Sequence, residues 1–384
     1  MRDTLSKLGQ SNKLSHASVR ILIAPDKFKG TLTARQAAEA IACGWQKARP
    51  DDDLTLLPIS DGGDGFGCVL GDALGAKPQR ISTLDAAHRK CVSTWWWQPE
   101  TRTAIIESAN IIGLAMLPQG KFHPFQLDTF GLGKVLLAAT IKGAKTIILG
   151  IGGSATNDGG FGLARALGWE FFDACGERIE QWTQLHTLAK IRRPKSLKLP
   201  KIIVAVDVEN PLLGKRGATR VYGPQKGLRA EEFAIAEKNL RRLASVVKHQ
   251  FGFDFTHSPG AGAAGGLGFG LAMFASGELR PGFELLAKTT RLASHLNACD
   301  LVITGEGSLD DSTLMGKGAG SLAELCRARK IPVIALAGVL HDSGKLRKLF
   351  TQNHSLTQLT TPTKARSRAA HWLAVLAEQI AVKR

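Results

Sequence analysis

Six short apolar runs, each closed by a loop of glycine and acid, set the rhythm of this chain. Arg20–Pro25 (RILIAP) leads into DKFKG, Leu54–Ile59 (LTLLPI) into SDGGDG, and Thr146–Gly150 (TIILG) into IGGSATNDGG. Lys201–Val206 (KIIVAV) leads into DVENP, Asp300–Thr304 (DLVIT) into GEGSLD, and Pro332–Ala337 (PVIALA) into a glycine. Strands that are apolar on both faces belong to parallel sheets covered by helices. Helical patterns lie between these runs, so the pattern predicts an α/β fold. One helix is explicit. Thr33-Ala-Arg-Gln36 is a capping box, Ala37, Ile41, Trp45 and Ala48 follow on one stripe, and Arg49 and Pro50 end it. The loop Asp26–Gly30 therefore meets a helix N-terminus, where unpaired N–H groups favour an anion.

Residues 86 to about 145 read differently. Cys91–Trp97 and Thr103–Glu107 predict a hairpin with turn residues around Gln98–Thr101. Trp95, Trp96 and Trp97 alternate faces in a strand, so at least one needs cover from other structure. The change of style predicts a second domain starting near 86.

Composition narrows the class. The chain has 384 residues, 44% apolar and 22% charged, with 42 glycines and the single tyrosine Tyr222. That excludes a mainly disordered chain, a coiled coil and a collagen-like fibre. No segment approaches the ~18 uninterrupted apolar residues of a membrane span. Six cysteines, at 43, 68, 91, 175, 299 and 326, form no C-x-x-C and no zinc spacing, as expected of free thiols in a reducing cytoplasm. Residues 1–18 are polar, lack an apolar h-region and read as a disordered extension. The net charge of +17 is concentrated: residues 190–248 hold 15 Lys/Arg against 5 Asp/Glu, and residues 324–384 hold 11 against 3. Such a balance attracts anions. Aromatics are not interleaved with these basic residues, so specific nucleic-acid binding is not expected.

Chemistry is expected at the loops, because open parallel sheets bind ligands beyond the carboxyl ends of their strands. The familiar signatures are missing. There is no G-x-x-x-x-G-K-[ST]. Gly260-Ala-Gly262-Ala-Ala-Gly265 has the dinucleotide spacing, but a helical pattern precedes it instead of a strand. Ser154 sits in G-G-S-A-T, which lacks the second glycine of a nucleophile elbow. What remains suits phosphoryl transfer, which asks for backbone N–H groups, cations, Mg²⁺-binding carboxylates and a base for the acceptor hydroxyl. Lys27, Lys29, Lys226 and Lys317 supply cations, and Asp61, Asp64, Asp158, Asp207, Glu306 and Asp310 supply acids. Asp207 ends the buried run KIIVAV and so projects from the end of a strand. That makes it the candidate base or hydroxyl-orienting acid, the other reading being a cap on the Glu209–Pro211 turn. Asp61, Asp64 and Asp158 are the candidate Mg²⁺ ligands.

The motifs DKFKGTLTA (26–34), PISDGGDG (58–65), GIGGSATNDGG (150–160), DVENPLLGKRGA (207–218), GPQKG (223–227), PGAGAAGGLGF (259–269), GEGSLD (305–310) and GK (316–317) resemble those of the class I glycerate kinase family. They fall in that family's order and span about residues 19 to 384. The resemblance implies ATP-dependent phosphorylation of D-glycerate, with 2-phosphoglycerate as the product of the bacterial enzymes. It also implies two α/β domains with the active site in the cleft between them, a Rossmann-like domain of 19–85 plus 290–384 and an inserted domain of 86–289. The expected enzyme is a cytoplasmic monomer or homodimer using ATP and Mg²⁺. Its expected catalytic residues are Asp207, Lys226 and Lys27. Substrate or phosphate contacts are expected from Asp26, Lys29, Gly152, Gly153, Ser154, Asn157, Asn210, Gln225, Gly262, Gly265, Glu306 and Lys317. The match departs at Ser308, where the pattern usually has arginine, and at Ser312, where it usually has glutamine. Loss of that arginine removes a bidentate donor. The alternatives are a kinase for a related small hydroxyacid and a catalytically weak basic binding protein.

Overall fold

The computed structural model describes residues 18–60, 62–311, 313, 318–341 and 344–384. Asp61, Ser312, Lys317 and most of the N-terminal extension lie outside the described residues. In chain order the strands are β1 (Arg20–Ile23), β2 (Asp53–Leu56), β3 (Lys77–Leu84), β4 (Lys90–Gln98), β5 (Thr103–Glu107) and β6 (Thr146–Gly150). They continue as β7 (Glu170–Asp173), β8 (Leu188–Arg192), β9 (Lys201–Ala205), β10 (Glu278–Arg280), β11 (Leu301–Leu309), β12 (Val333–Leu340) and β13 (Gln352–Ser355). All six apolar runs are strands.

These strands form a five-stranded sheet in the order β13-β12-β11-β1-β2, parallel throughout. A six-stranded sheet has the order β10-β9-β6-β5-β4-β3. Its β10-β9-β6-β5 half is parallel, and β5-β4-β3 is an antiparallel meander containing the expected hairpin. β7 and β8 pair separately. The fold is mixed α/β with mainly parallel sheets. By strand pairing the chain enters the second sheet at Lys77, ahead of the expected boundary at 86. It leaves that sheet at Arg280, ahead of 289. The polar strand KPQRISTL hides the first crossing because it lies at a sheet edge.

Two details position the loops. The helix Ala34–Ala48 carries the expected capping box and buries Ala37, Ile41 and Trp45 on one stripe. It packs closely on the C-terminal helix Ala369–Val382, where a Cβ on Gly44 would lie 1.9 Å from the Ala374 carbonyl. The helix Phe66–Ala73, which follows the SDGGDG loop, rests on Trp96. A Cβ on Gly67 or Gly71 would come within 2.1 or 2.7 Å of that indole. Trp95 faces the other way, into the core of the second sheet. The cluster around Trp96 holds Leu22 and Val302 of the first sheet with Ile105 and Ile148 of the second. The expected cover for a tryptophan of this run is therefore packing between the sheets.

Candidate active site

The carboxyl ends of parallel strands from both sheets open on one cleft of about 1220 Å³. Every loop singled out by the apolar runs reaches it. Asp26, Lys27 and Lys29 follow β1, Gly62–Asp64 follow β2, and Gly152–Ser154 follow β6. Asp207 follows β9, Glu306–Ser308 belong to the end of β11 with Asp310 just past it, and Gly338 belongs to β12. Gln225 and Lys226 enter from the helix Ala218–Lys226.

Lys226 is the most unusual of these groups. It is 6% exposed. Its Nζ donates to the Thr156 carbonyl at 2.6 Å and to Ser154 Oγ at 3.4 Å, both neutral oxygens. Burial pushes its pKa down to about 7, with the charge of Asp158 pulling the other way. Lys27 Nζ donates to the Asp64 carbonyl at 2.9 Å, and the Lys27 N–H to Asp26 Oδ1 at 2.6 Å. Asp207 Oδ1 accepts from Gly282 N at 2.8 Å and Phe283 N at 3.2 Å. It thereby engages the start of the helix Gly282–Thr289. Thr313 donates to Glu306 Oε1 at 2.8 Å, and Ser308 Oγ donates to Asp310 Oδ2 at 3.3 Å.

Five expected contacts lie elsewhere. Asp158 is fully buried and does not line the cleft. Its carboxylate accepts from Thr129 N, Thr129 Oγ1 and Gly162 N on one oxygen and from Gly160 N on the other. It caps the helix Phe161–Ala166, which corrects its assignment as a metal ligand. Burial, with the charge of Asp128, pushes its pKa up to about 6. Asn157 is fully buried and donates to Thr219 Oγ1 at 3.1 Å. Gly262 and Gly265 serve backbone packing. A Cβ at 262 would sit 2.2 Å from the Pro211 carbonyl, and one at 265 would sit 2.0 Å from the Thr156 carbonyl. The two glycine-rich loops thus stack on each other, and Ser154, Ala263 and Ala264 line the cleft near their contact. Asn210 accepts from the Tyr222 hydroxyl at 2.6 Å and donates to the Arg216 carbonyl at 2.8 Å. It orients Tyr222, which does line the cleft. Burial holds that phenol up at about 12, so it stays protonated.

Sequence reasoning missed Glu107 and Arg366. Glu107 is 3% exposed and ends β5 at the cleft. Its two oxygens accept from Gly65 N and Gly67 N, both at 2.9 Å, which pins the SDGGDG loop. Burial raises its pKa. The signal was available, since Glu107 is an acid at the end of an apolar strand, as Asp207 is at the end of KIIVAV. Arg366 reaches the mouth from the helix Pro362–Ser367, where no local motif marks it.

Among the described residues no group of three or more His, Cys, Asp or Glu is arranged to hold a metal ion. No helix among them is long and apolar enough to cross a membrane.

Comparison with known proteins agrees with the motifs. The model of the glycerate kinase family matches residues 21–383. A glycerate kinase of Halalkalibacterium halodurans is 39% identical over 324 residues, covering 83% of this chain and 85% of that protein. A glycerate 2-kinase of Escherichia coli K12 is 38% identical over 328 residues, covering 84% and 86%. A crystal structure of a candidate glycerate kinase 2 from Salmonella typhimurium LT2 superposes with a TM-score of 0.82 at 34% identity, covering 95% of this chain and 98% of that one.

Proposed function

The chain belongs to the glycerate kinase family and is a glycerate-phosphorylating, ATP-dependent enzyme; we propose that its acceptor is D-glycerate, its product 2-phosphoglycerate, and its compartment the cytoplasm. The observation that carries the reading is Lys226, a buried cation at the cleft wall whose hydrogen-bond partners are neutral oxygens. Such a group favours an anion brought by the ligand, because nothing in its own hydrogen bonding balances the charge. Glycerate brings a carboxylate and ATP brings a triphosphate.

In this reading Lys226 and the Ser154 hydroxyl hold an anionic group of the reactants, and Lys27 and Lys29 face the phosphates. Asp207 meets the acceptor hydroxyl. Two backbone N–H groups fix its carboxylate, which gives a base the constant orientation it needs. Glu107 keeps the Gly65–Gly67 backbone in place, so Asp64 is presented consistently. The donor set at the cleft fits Mg²⁺ of the kind that arrives with a nucleotide. That ion takes one or two carboxylates, with phosphate oxygens and water completing its shell. Asp64 and Asp310 offer hard oxygen ligands at the cleft. When bound, Mg²⁺ neutralises charge building on the phosphates. All six cysteines are free, which suits the reducing compartment.

A coupled assay with D-glycerate, L-glycerate and glycolate tests the acceptor, and ³¹P NMR of the product tests the position. D-Glycerate should give the highest kcat/KM and a 2-phosphate. Equal or faster turnover of another hydroxyacid would make this a kinase for that acid, with Ser308 the first residue to revert to arginine.

A further inference from the structure

Beside the main cleft lies a second cavity of about 900 Å³. The two share Asp26, Lys27, Lys29, Thr31 and Asp64 along their common wall. Beyond that wall the second cavity changes character. It runs between the helices Ala34–Ala48 and Phe66–Ala73. Leu57, Pro58, Val69, Ala73 and Ala76 give it an apolar wall, and the charged Arg35, Glu39 and Asp72 line it as well. Ser60 also lines it, 1% exposed, and the Ser60 hydroxyl has no hydrogen-bond partner among the described residues. A buried hydroxyl left without a partner is costly, and it marks where a ligand atom would complete the bonding.

Glycerate, small and polar on every side, gains little from such walls. A flat heteroaromatic ring with several polar edge atoms gains from a cavity that joins an apolar wall to a few polar side chains. We propose that this second cavity receives the nucleoside of ATP, with the triphosphate crossing the shared wall at Lys27 and Lys29 into the main cleft. The placement rests on the kinase reading above. It leaves the main cleft, with Lys226, Ser154 and Asp207, to the acceptor and the transferred phosphate.

Cys68 provides a reporter in the unmodified protein. It is exposed and lines this cavity, while exposed Cys43 and Cys175 line neither cavity. Iodoacetamide labelling, read by peptide mass spectrometry, should be slowed at least fivefold at Cys68 by Mg-ATP and left unchanged at Cys43 and Cys175. Magnesium tripolyphosphate, which has the phosphates but no nucleoside, should leave Cys68 reactive. An unprotected Cys68 at saturating ATP would overturn the placement, and so would equal protection by tripolyphosphate, because closure of the protein would then explain it. A second variant, Ala73→Trp, puts bulk at an exposed wall position. It should raise the KM for ATP at least tenfold and leave that for glycerate unchanged. An unchanged KM for ATP would count against the placement. Turnover of glycerate is measured on the same sample. Its absence would sink the kinase reading, whereas turnover with Cys68 unprotected would sink only this subsite.

Discussion

Replacing Lys226 with methionine should make the protein more stable and less able to bind its anion. The side chain is buried, and its pKa falls from 10.5 to about 7. That displacement corresponds to roughly 5 kcal/mol at 1.36 kcal/mol per pKa unit, a ceiling on what burying the charge costs. Methionine keeps the length and loses the charge. It also strands the Thr156 carbonyl and the Ser154 hydroxyl that Lys226 now engages, returning about 1–3 kcal/mol of the gain. A net stabilisation of at most about 2–4 kcal/mol is therefore expected wherever the wild-type lysine is charged in both states, below pH 7. Between about 7 and 10.5 the unfolded lysine keeps its proton while the folded one has lost it. The unfolded state then binds more protons, so wild-type stability rises with pH across this window. The advantage of Lys226→Met should shrink over the same range by about 1.4 kcal/mol per pH unit. Asp158, raised from 3.8 to about 6, changes stability at lower pH and does not overlap this window. Urea unfolding of both proteins at pH 6 and pH 9 measures the difference, and glycerate titration measures the loss of binding, expected at tenfold or more. A variant less stable than wild type by the same amount at both pH values would refute the reasoning, because Lys226 would then carry no buried-charge penalty.

Asp207→Asn keeps the shape and the acceptor oxygen for Gly282 and Phe283 but removes the charge. A base should cost ~10²–10⁴-fold in kcat with the urea midpoint little changed, whereas full activity in the folded fraction would leave Asp207 only the cap of its helix. Gly265→Ala tests the stacked loops. With φ at +73° and the Thr156 carbonyl 2.0 Å from a new Cβ, it should lose about 2–4 kcal/mol of stability, and an unchanged urea midpoint would show that the loops can part.

The sheet-forming runs were legible because a strand buried on both faces has no polar alternation to confuse with a surface. β1, β6, β9, β11 and β12 are all of this kind, and ligand loops follow their carboxyl ends by topology. The other edge elements were not legible, although β2, also at an edge, was read from Leu54–Ile59. β13 reads QNHS, and β3 opens with Lys-Pro, because an edge strand keeps one side open to water and its side chains need not be apolar. β10, three residues long, is set by pairing with β9 and not by its own pattern. Arg366 reaches the cleft by tertiary packing alone, so no reading of its neighbours could find it.

The acids show a subtler limit. Asp158 and Asp207 look alike in sequence, each in a loop after an apolar strand, but the fold separates them by a few residues of loop path. Asp207 stands directly after β9 and lines the cleft. Asp158 lies further along its loop, past Ser154, where the chain has already turned into the core to start a helix. The same distinction divides the glycines. Gly152 and Gly153, close after β6, line the cleft and pass within contact of Gly63 and Asp64. Gly262 closes a backbone contact with Pro211 behind it, and Gly265 closes another with Thr156. That contact holds the Thr156 carbonyl and Ser154 where Lys226 needs acceptors. Distance along the loop from the end of its strand therefore separates the groups that line the cleft from those that hold them in place, and a buried lysine with neutral partners is sustained by the rigidity of the second set.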